Sequence, residues 1–167
     1  MRRMAYNRTL AILAVSSLVV LAMLEFARRH QPDPLREEKN AATTLMQRAG
    51  QAVKAGKLRI GVPIDRRLDA NDTGLIGVEY TDITTTLGSL AAKRTSTNPA
   101  FAAVVVDMLY RAGVRPGDAV AVGFSGSFPA LNIAVLSAAK ALDLRPVIIS
   151  SAGSSTYGAN QPDMTWL

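Results

Sequence analysis

The chain has 167 residues, of which 49% are hydrophobic and 19% are charged, and its formal net charge at pH 7 is +6. This composition suits one domain with a hydrophobic core and excludes intrinsic disorder for most of the chain. The chain has no cysteine and a single histidine, His30, which excludes thiolate and histidine-cluster metal sites, so we expect neither a metal nor a cofactor. Five arginines and one glutamate lie in the first 30 residues, so the positive charge is mostly N-terminal and does not indicate a nucleic-acid partner.

An apolar segment comes first in chain order. Thr9–Leu24 contains no charged residue and would span about 24 Å as a helix, which Phe26 and flanking arginines can extend towards the thickness of a bilayer. We predict a single-pass membrane helix over about residues 9–26, in an anchor region of residues 1–30. A cleaved signal peptide is the alternative, but Glu25 stands where a cleavage site needs a small residue. A slight excess of basic residues before the segment predicts a cytoplasmic N-terminus and a domain outside.

A stalk helix is predicted next, within residues 31–57. Asp33 is a good N-cap residue, and Pro34 suits the first helical position. The apolar residues that follow recur at helical spacing, and Gly56 is predicted to end the helix.

Two short strands are predicted at the start of the following domain, residues 58–167. Leu58–Ile64 and Gly74–Tyr80 are rich in β-branched residues and are bounded by turn residues. Thr81–Lys93 stays ambiguous, because its threonines favour a strand and its second half favours a helix.

The clearest predicted elements lie in the second half of the chain. Asn98 and Pro99 begin a helix that Gly113 ends. A βαβ unit follows, in which a helix joins two apolar strands. Such a pair is expected to be parallel and covered on both faces, so the fold class is α/β, a three-layer domain with a mostly parallel sheet. The predicted strand, helix and strand are Asp118–Gly123, Pro129–Leu142 and Arg145–Ser150.

Three segments rich in hydroxyl groups and glycine follow predicted strands. They begin at Thr81, Gly123 and Ser150. If the strands are parallel, these loops converge at one edge of the sheet, where the amides of a helix N-terminus favour a carboxylate or phosphate. Ordinary turn residues are the alternative, with Ser127 a simple N-cap. The candidate binding residues are Thr85, Lys93, Arg94, Ser96, Thr97, Gly123, Ser125, Gly126, Ser127, Ser151 and Ser154.

The middle loop is also similar to the hydrolase nucleophile motif G-x-S-x-G. It departs from that motif at Ser127, and the single histidine lies beside the membrane segment, far from any serine of the domain. A pair between a loop serine and Lys93 or Lys140 stays open, although the spacing gives it no support.

The run from Gly74 to Leu167, with the strings KRTSTNP and GFSGSFPALN, resembles the bacterial poly-γ-glutamate system protein family. The resemblance implies a membrane-anchored accessory protein that works beside the poly-γ-glutamate synthase subunits. It carries over no catalytic residues. Members of the family look longer, so we expect the domain to be incomplete at its C-terminus.

We therefore expect a binding or scaffolding component of poly-γ-glutamate synthesis or export. Its partners would be the membrane, the synthase subunits, and the anionic polymer or a phosphorylated precursor. One alternative is an enzyme acting on the polymer or on a phosphorylated intermediate, with Ser125 or Ser127 in its site. In another, the loops are structural and the anchor helix carries the partner contacts.

Overall fold

A computed structural model describes residues 2–29 and 33–167, and it divides the chain into two units, Met1–Pro34 and Leu35–Leu167. The first unit is one helix, α1 (Arg2–Arg29). Its window Leu10–Ala27 has a mean hydropathy of 2.4, and none of the window is buried. This helix is long and apolar enough to span a membrane.

The second unit mixes helices with short strands. Its elements are α2 (Arg36–Arg59), β1 (Thr84–Thr86), α3 (Leu90–Ser96), α4 (Ala100–Arg111), β2 (Ala119–Ser125), α5 (Pro129–Ala141), β3 (Arg145–Ser151), β4 (Ser154–Ser155), β5 (Asn160–Gln161) and β6 (Met164–Thr165). The core lies where α2, α4 and α5 pack together, because each presents small or flexible apolar residues to the others. Its most buried members include Ala42 and Met46 of α2, Val106 of α4, and Ala134 of α5.

The stalk helix exists, but both of its predicted ends are wrong. Leu35 is the N-cap, without a side-chain cap, so Asp33 and Pro34 precede the helix rather than begin it. The helix also continues past Gly56, and it ends in a Schellman motif at Gly61, whose φ is +79°. A glycine can remain helical when nothing forces it to a positive φ, which is why the earlier glycine was a misleading end signal.

The two strands predicted at the start of the domain are absent. Leu58 and Arg59 belong to the last turn of α2, and Gly74–Tyr80 is irregular although Leu75 and Ile76 are buried. Two backbone hydrogen bonds connect this segment to Tyr157, from Gly77 N at 3.1 Å and to Val78 O at 2.8 Å. A buried apolar run bounded by turns therefore need not form a strand, since isolated backbone hydrogen bonds can satisfy it in place of a strand ladder.

The βαβ unit agrees with its prediction. β2 and β3 are parallel over seven residue pairs, from Ala119 opposite Arg145 to Ser125 opposite Ser151, and α5 connects them. The expected cover on both faces is not seen within the described residues, since Val147 is 61% exposed and Ile149 is 80% exposed. The other two strand pairs are short, β1 with β4 parallel and β5 with β6 antiparallel. A three-layer arrangement therefore stays a prediction.

Candidate functional site

The three loops rich in hydroxyls and glycine come together at the ends of the parallel strands. Gly126 N donates to Gly153 O at 3.0 Å, and the Ser154 hydroxyl donates to Gly126 O at the same distance. Ser155 N donates to the Ser127 hydroxyl at 3.1 Å. The loops after β2 and β3 are therefore joined by direct hydrogen bonds, because both strands run parallel and end at one edge.

The segment around β1 joins the same cluster. β1 pairs in parallel with β4, and the Thr85 hydroxyl donates to Ser154 O at 3.2 Å. Beyond β1, Gly88 N donates to the Thr156 hydroxyl at 2.7 Å. A Cβ at Gly88 would lie 2.8 Å from Ser155 Oγ, so only glycine allows this close approach.

Lys93 lies at the centre of the cluster. It sits on α3, which begins at the N-cap Ser89, and only 2% of its surface is exposed. Its ammonium donates to Ser155 Oγ at 2.8 Å and to the backbone oxygen of Ser127, and it lies 4.2 Å from the ring centroid of Phe128. Burial lowers the pKa of Lys93 to about 8. Lys93 thus joins α3 to the loops as a buried residue, and its ammonium is already hydrogen-bonded to Ser127 O and Ser155 Oγ.

The remaining predicted residues of the α3 end have other partners. Arg94 Nε donates to Leu68 O at 2.7 Å, which joins α3 to the loop of residues 65–73. The Ser96 hydroxyl donates to Lys93 O, and the Thr97 hydroxyl donates to Arg94 O, each at 2.7 Å. These two hydroxyl groups satisfy carbonyls at the C-terminus of α3 and do not reach the loop cluster.

The loop after β2 does not cap α5 through Ser127. The N-cap residue is Phe128 and it makes no side-chain cap hydrogen bond. Instead the Ser125 hydroxyl accepts from Ser127 N at 3.3 Å, and Asn132 Nδ2 donates to Ser125 O at 2.8 Å. The expectation that Ser127 is a simple N-cap is therefore wrong.

Two predicted residues lie at the outer edge of the cluster. Ser151 is exposed, and its hydroxyl accepts from Gly153 N at 3.1 Å. Gly123 is exposed on β2 and has no atom within 4 Å of a hypothetical Cβ. Gly123 is thus a strand residue outside the loop contacts.

A polar groove runs beside Arg94, between α2, the loop of residues 65–73, and the turn from α3 to α4. It consists of two adjoining cavities of about 330 and 410 Å³, which share Asn71, Thr73, Thr97 and Pro99. Side-chain amides and hydroxyl groups line it together with Lys54, Arg94 and the carboxylate of Asp72, and Met46, Leu75 and Pro99 supply an apolar part of its wall. The amide residues are Gln47, Gln51, Asn71 and Asn98, and the hydroxyl residues are Thr73, Thr95 and Thr97.

The charges of this groove are partly paired. Lys54 Nζ lies 2.9 Å from Asp72 Oδ2, and Arg66 Nη2 lies 3.2 Å from the same oxygen. The hydrogen bond from Lys54 is the main cause that holds the pKa of Asp72 below its ordinary value. Arg94 uses Nε and Nη2 for loop carbonyls, whereas its Nη1 makes no hydrogen bond within the part of the chain that the structure describes. The groove therefore offers a half-buried guanidinium N–H.

Two buried residues that the sequence did not single out organise this side of the domain. Asn160 is fully buried, and its side chain replaces a strand partner for Val78 by bonding both its N–H and its C=O. Lys57 is 6% exposed and donates to Ile76 O at 3.2 Å. An asparagine after a glycine-rich loop, or a lysine near a helix end, gives no sequence signal of burial, because each is ordinarily exposed.

The described residues, 2–29 and 33–167, contain no group of three or more metal-ligating side chains. No family model, curated protein or solved structure matches the chain. The fold and the site thus define a mixed helix and strand domain that follows an apolar helix able to span a membrane. The resemblance to the poly-γ-glutamate system family rests on the sequence motifs alone.

Proposed function

We propose that this protein is a membrane-anchored accessory component of poly-γ-glutamate synthesis or export, and that it binds the polymer. Two features support the proposal: the apolar helix α1, and the motifs that resemble the poly-γ-glutamate system family. The slight excess of basic residues before the apolar segment Thr9–Leu24 supports a domain outside the cytoplasm.

The polar groove is the observation on which the binding role depends. A γ-linked glutamate chain presents an amide at every unit and a carboxylate beside it. The amides of Gln51 and Asn71 can pair with the chain amides, because each side-chain amide both donates and accepts. The free N–H of Arg94 suits the carboxylates, whereas the Lys54 ammonium is already paired with Asp72. The loop cluster around Lys93 then has the separate task of holding α3 in place.

Binding is tested on the full chain in detergent with a fluorescent γ-linked glutamate oligomer, followed by anisotropy at low salt. Arg94→Gln should weaken binding about tenfold, since a charge-assisted hydrogen bond contributes about 1.5–3 kcal/mol. Gln51→Ala, which removes an exposed α2 side chain without touching the 65–73 loop, should weaken it less. Lys140→Gln is the matched control, because it removes one exposed charge on α5.

Two results would contradict a specific groove. One is an equal loss of affinity in Lys140→Gln, which would mean that only net charge matters. The other is equally strong competition by polyacrylate, a polyanion that has no amides. In the host, deletion of the gene should lower cell-associated poly-γ-glutamate, and unchanged polymer would argue against the accessory role.

A second candidate function is amide hydrolysis through Ser155, and the 2.8 Å contact between Ser155 Oγ and Lys93 Nζ favours it. Lys93 with its lowered pKa would take the hydroxyl proton as Oγ attacks a carbonyl carbon of the chain. The same proton would pass to the leaving amine, and water would then release the acyl group. Ser155 is 4% exposed, so part of the surrounding cluster must move to admit a substrate.

The two candidates differ in what Ser155→Ala does. For the enzyme, the change abolishes release of free amino groups from the polymer and leaves oligomer binding intact. If the protein only binds the polymer, even the wild type should release no amino groups. Ser125→Ala is the control, because the Ser125 hydroxyl bonds Ser127 N and not the Lys93 ammonium.

A further inference from the structure

A third cavity, of about 230 Å³, lies between α2, α5 and the hairpin formed by β5 and β6. Its wall is mostly apolar and includes Val53, Leu75, Ile133 and Trp166. Trp166 also packs edge-on against Phe124, with 5.6 Å between the ring centroids. This contact holds the indole ring in place. The cavity lies outside the loop cluster, and Leu75 is the one residue that its wall shares with the groove.

Among the described residues, Lys57 is the one charged residue in the wall of this cavity. Only 6% of its surface is exposed, and within the part of the chain that the structure describes its ammonium makes a single hydrogen bond, to Ile76 O at 3.2 Å. Within the described residues, no carboxylate oxygen lies within 4.0 Å of its nitrogen. The charge of Asp69 acts on Lys57, but the Asp69 carboxylate accepts hydrogen bonds from the Thr73 hydroxyl and Gly74 N. Burial lowers the pKa of Lys57 despite that acid.

A buried ammonium with one partner is costly, because it has lost its water and keeps donors without acceptors. An anion entering the cavity would supply both the missing charge and the missing acceptors. The apolar wall requires that the remainder of such a ligand be hydrocarbon, and the small volume limits it to a short one.

We infer that this cavity binds a small monocarboxylate with an aliphatic body, its carboxylate on the Lys57 ammonium and its hydrocarbon against Ile133 and Trp166. The inference is independent of the polymer groove, since the two sites share only Leu75 among their wall residues. Either one can fail without the other.

The sole tryptophan of the chain provides the readout. Full chain in a tryptophan-free detergent is titrated with hexanoate, hexanol and hexylammonium while Trp166 fluorescence is recorded. Hexanoate should bind at least tenfold more tightly than hexanol, because only the carboxylate bonds Lys57, and hexylammonium should bind least. This comparison needs no variant and so does not depend on the folding of one.

Lys57→Met keeps the length and removes the charge. It should reduce the preference for hexanoate over hexanol to about one, with the α-helical circular dichroism unchanged. Lys140→Met, at the exposed end of α5, should keep the wild-type preference. Because the micelles are the same for both variants, this control corrects for uptake of the probes by the detergent. Equal binding of hexanoate and hexanol to wild type, or a preference that survives in Lys57→Met, would overturn the inference.

Discussion

At the scale of residues, Lys93 of α3 connects the loop after β2 to β4. Its ammonium reaches Ser127 O and Ser155 Oγ and faces the Phe128 ring. Its neighbour Arg94 points elsewhere, to the carbonyl of Leu68. Adjacent residues on a helix are about 100° apart, so the two basic side chains could not serve the same site.

Lys93→Met should lower the free energy of unfolding by about 2 kcal/mol, since two buried acceptors lose their donor. Urea unfolding of the full chain in detergent, followed by circular dichroism, measures the change. Lys140→Met, at an exposed position, should stay within about 0.5 kcal/mol of wild type. If Lys93→Met lowers the free energy of unfolding no more than this control does, the hydrogen bonds of the ammonium do not stabilise the domain.

The same lysine predicts a pH dependence. Its pKa is about 8 in the folded state, against an ordinary value of 10.5 for a lysine of the unfolded chain. Between those values the unfolded state holds more protons, so the free energy of unfolding should rise with pH, by at most about 1.4 kcal/mol per pH unit. Below pH 8 both states carry the charge and this contribution is flat.

The measurement is the difference in unfolding free energy between wild type and Lys93→Met, taken from pH 7 to pH 10.5. Subtracting the variant removes the contributions of Lys57 and of other groups common to both proteins. A difference that falls over this range, or does not change, would contradict a buried Lys93 with a lowered pKa.

At the scale of elements, the ends of α4 and α5 were predicted to within one residue, whereas the end of α2 was not, because its sequence offers two glycines, Gly56 and Gly61. α4 ends in a Schellman motif at Gly113, as its sequence predicted, with Val114 N donating to Leu109 O. α5 ends in the same motif with Asp143 at φ +53°, where the sequence offered no glycine. The βαβ unit was predictable because its apolar runs are continuous and its connection is short.

The candidate site was predictable only in outline. Parallel strands bring their following loops to one edge, and this rule alone predicts that Ser127 and Ser154 lie near each other. Which hydroxyl accepts the hydrogen bond from Lys93 depends on how α3 packs against the loops, a tertiary property that the sequence spacing does not encode. The burial of Asn160, and the side-chain bonds by which it replaces a strand, are equally invisible to periodicity.

Gly77 tests how closely the irregular segment approaches the loop after β4. A Cβ there would lie 1.9 Å from Gly158 O and 2.3 Å from Asn160 Oδ1. Gly77→Ala should therefore destabilise the domain by about 3 kcal/mol, since backbone on one side cannot yield. Gly123→Ala, with nothing within 4 Å, is the matched control and should be close to neutral in the same urea unfolding experiment. Near-neutral values for both would mean that the two segments can separate at little cost.

At the scale of the whole molecule, the two units differ in what their surfaces require. Leu10–Ala27 exposes its apolar side chains throughout, whereas the domain buries a core of its own. An exposed apolar helix of 18 residues is unfavourable in water, so a bilayer is the environment that we propose for it.

Leu18 lies near the middle of that helix and is 65% exposed. An arginine there costs about 2.5–3.5 kcal/mol on insertion, and a second one at Val15 adds a similar amount. Leu18→Arg should therefore reduce, and the double variant with Val15→Arg abolish, the fraction of protein that stays with membranes after an alkaline carbonate wash. Leu18→Ala keeps the segment apolar and should behave as wild type. Because the core residues lie wholly within Leu35–Leu167, the double variant should leave the helical circular dichroism of the domain unchanged, and a membrane-bound double variant would mean that some other surface holds the protein there.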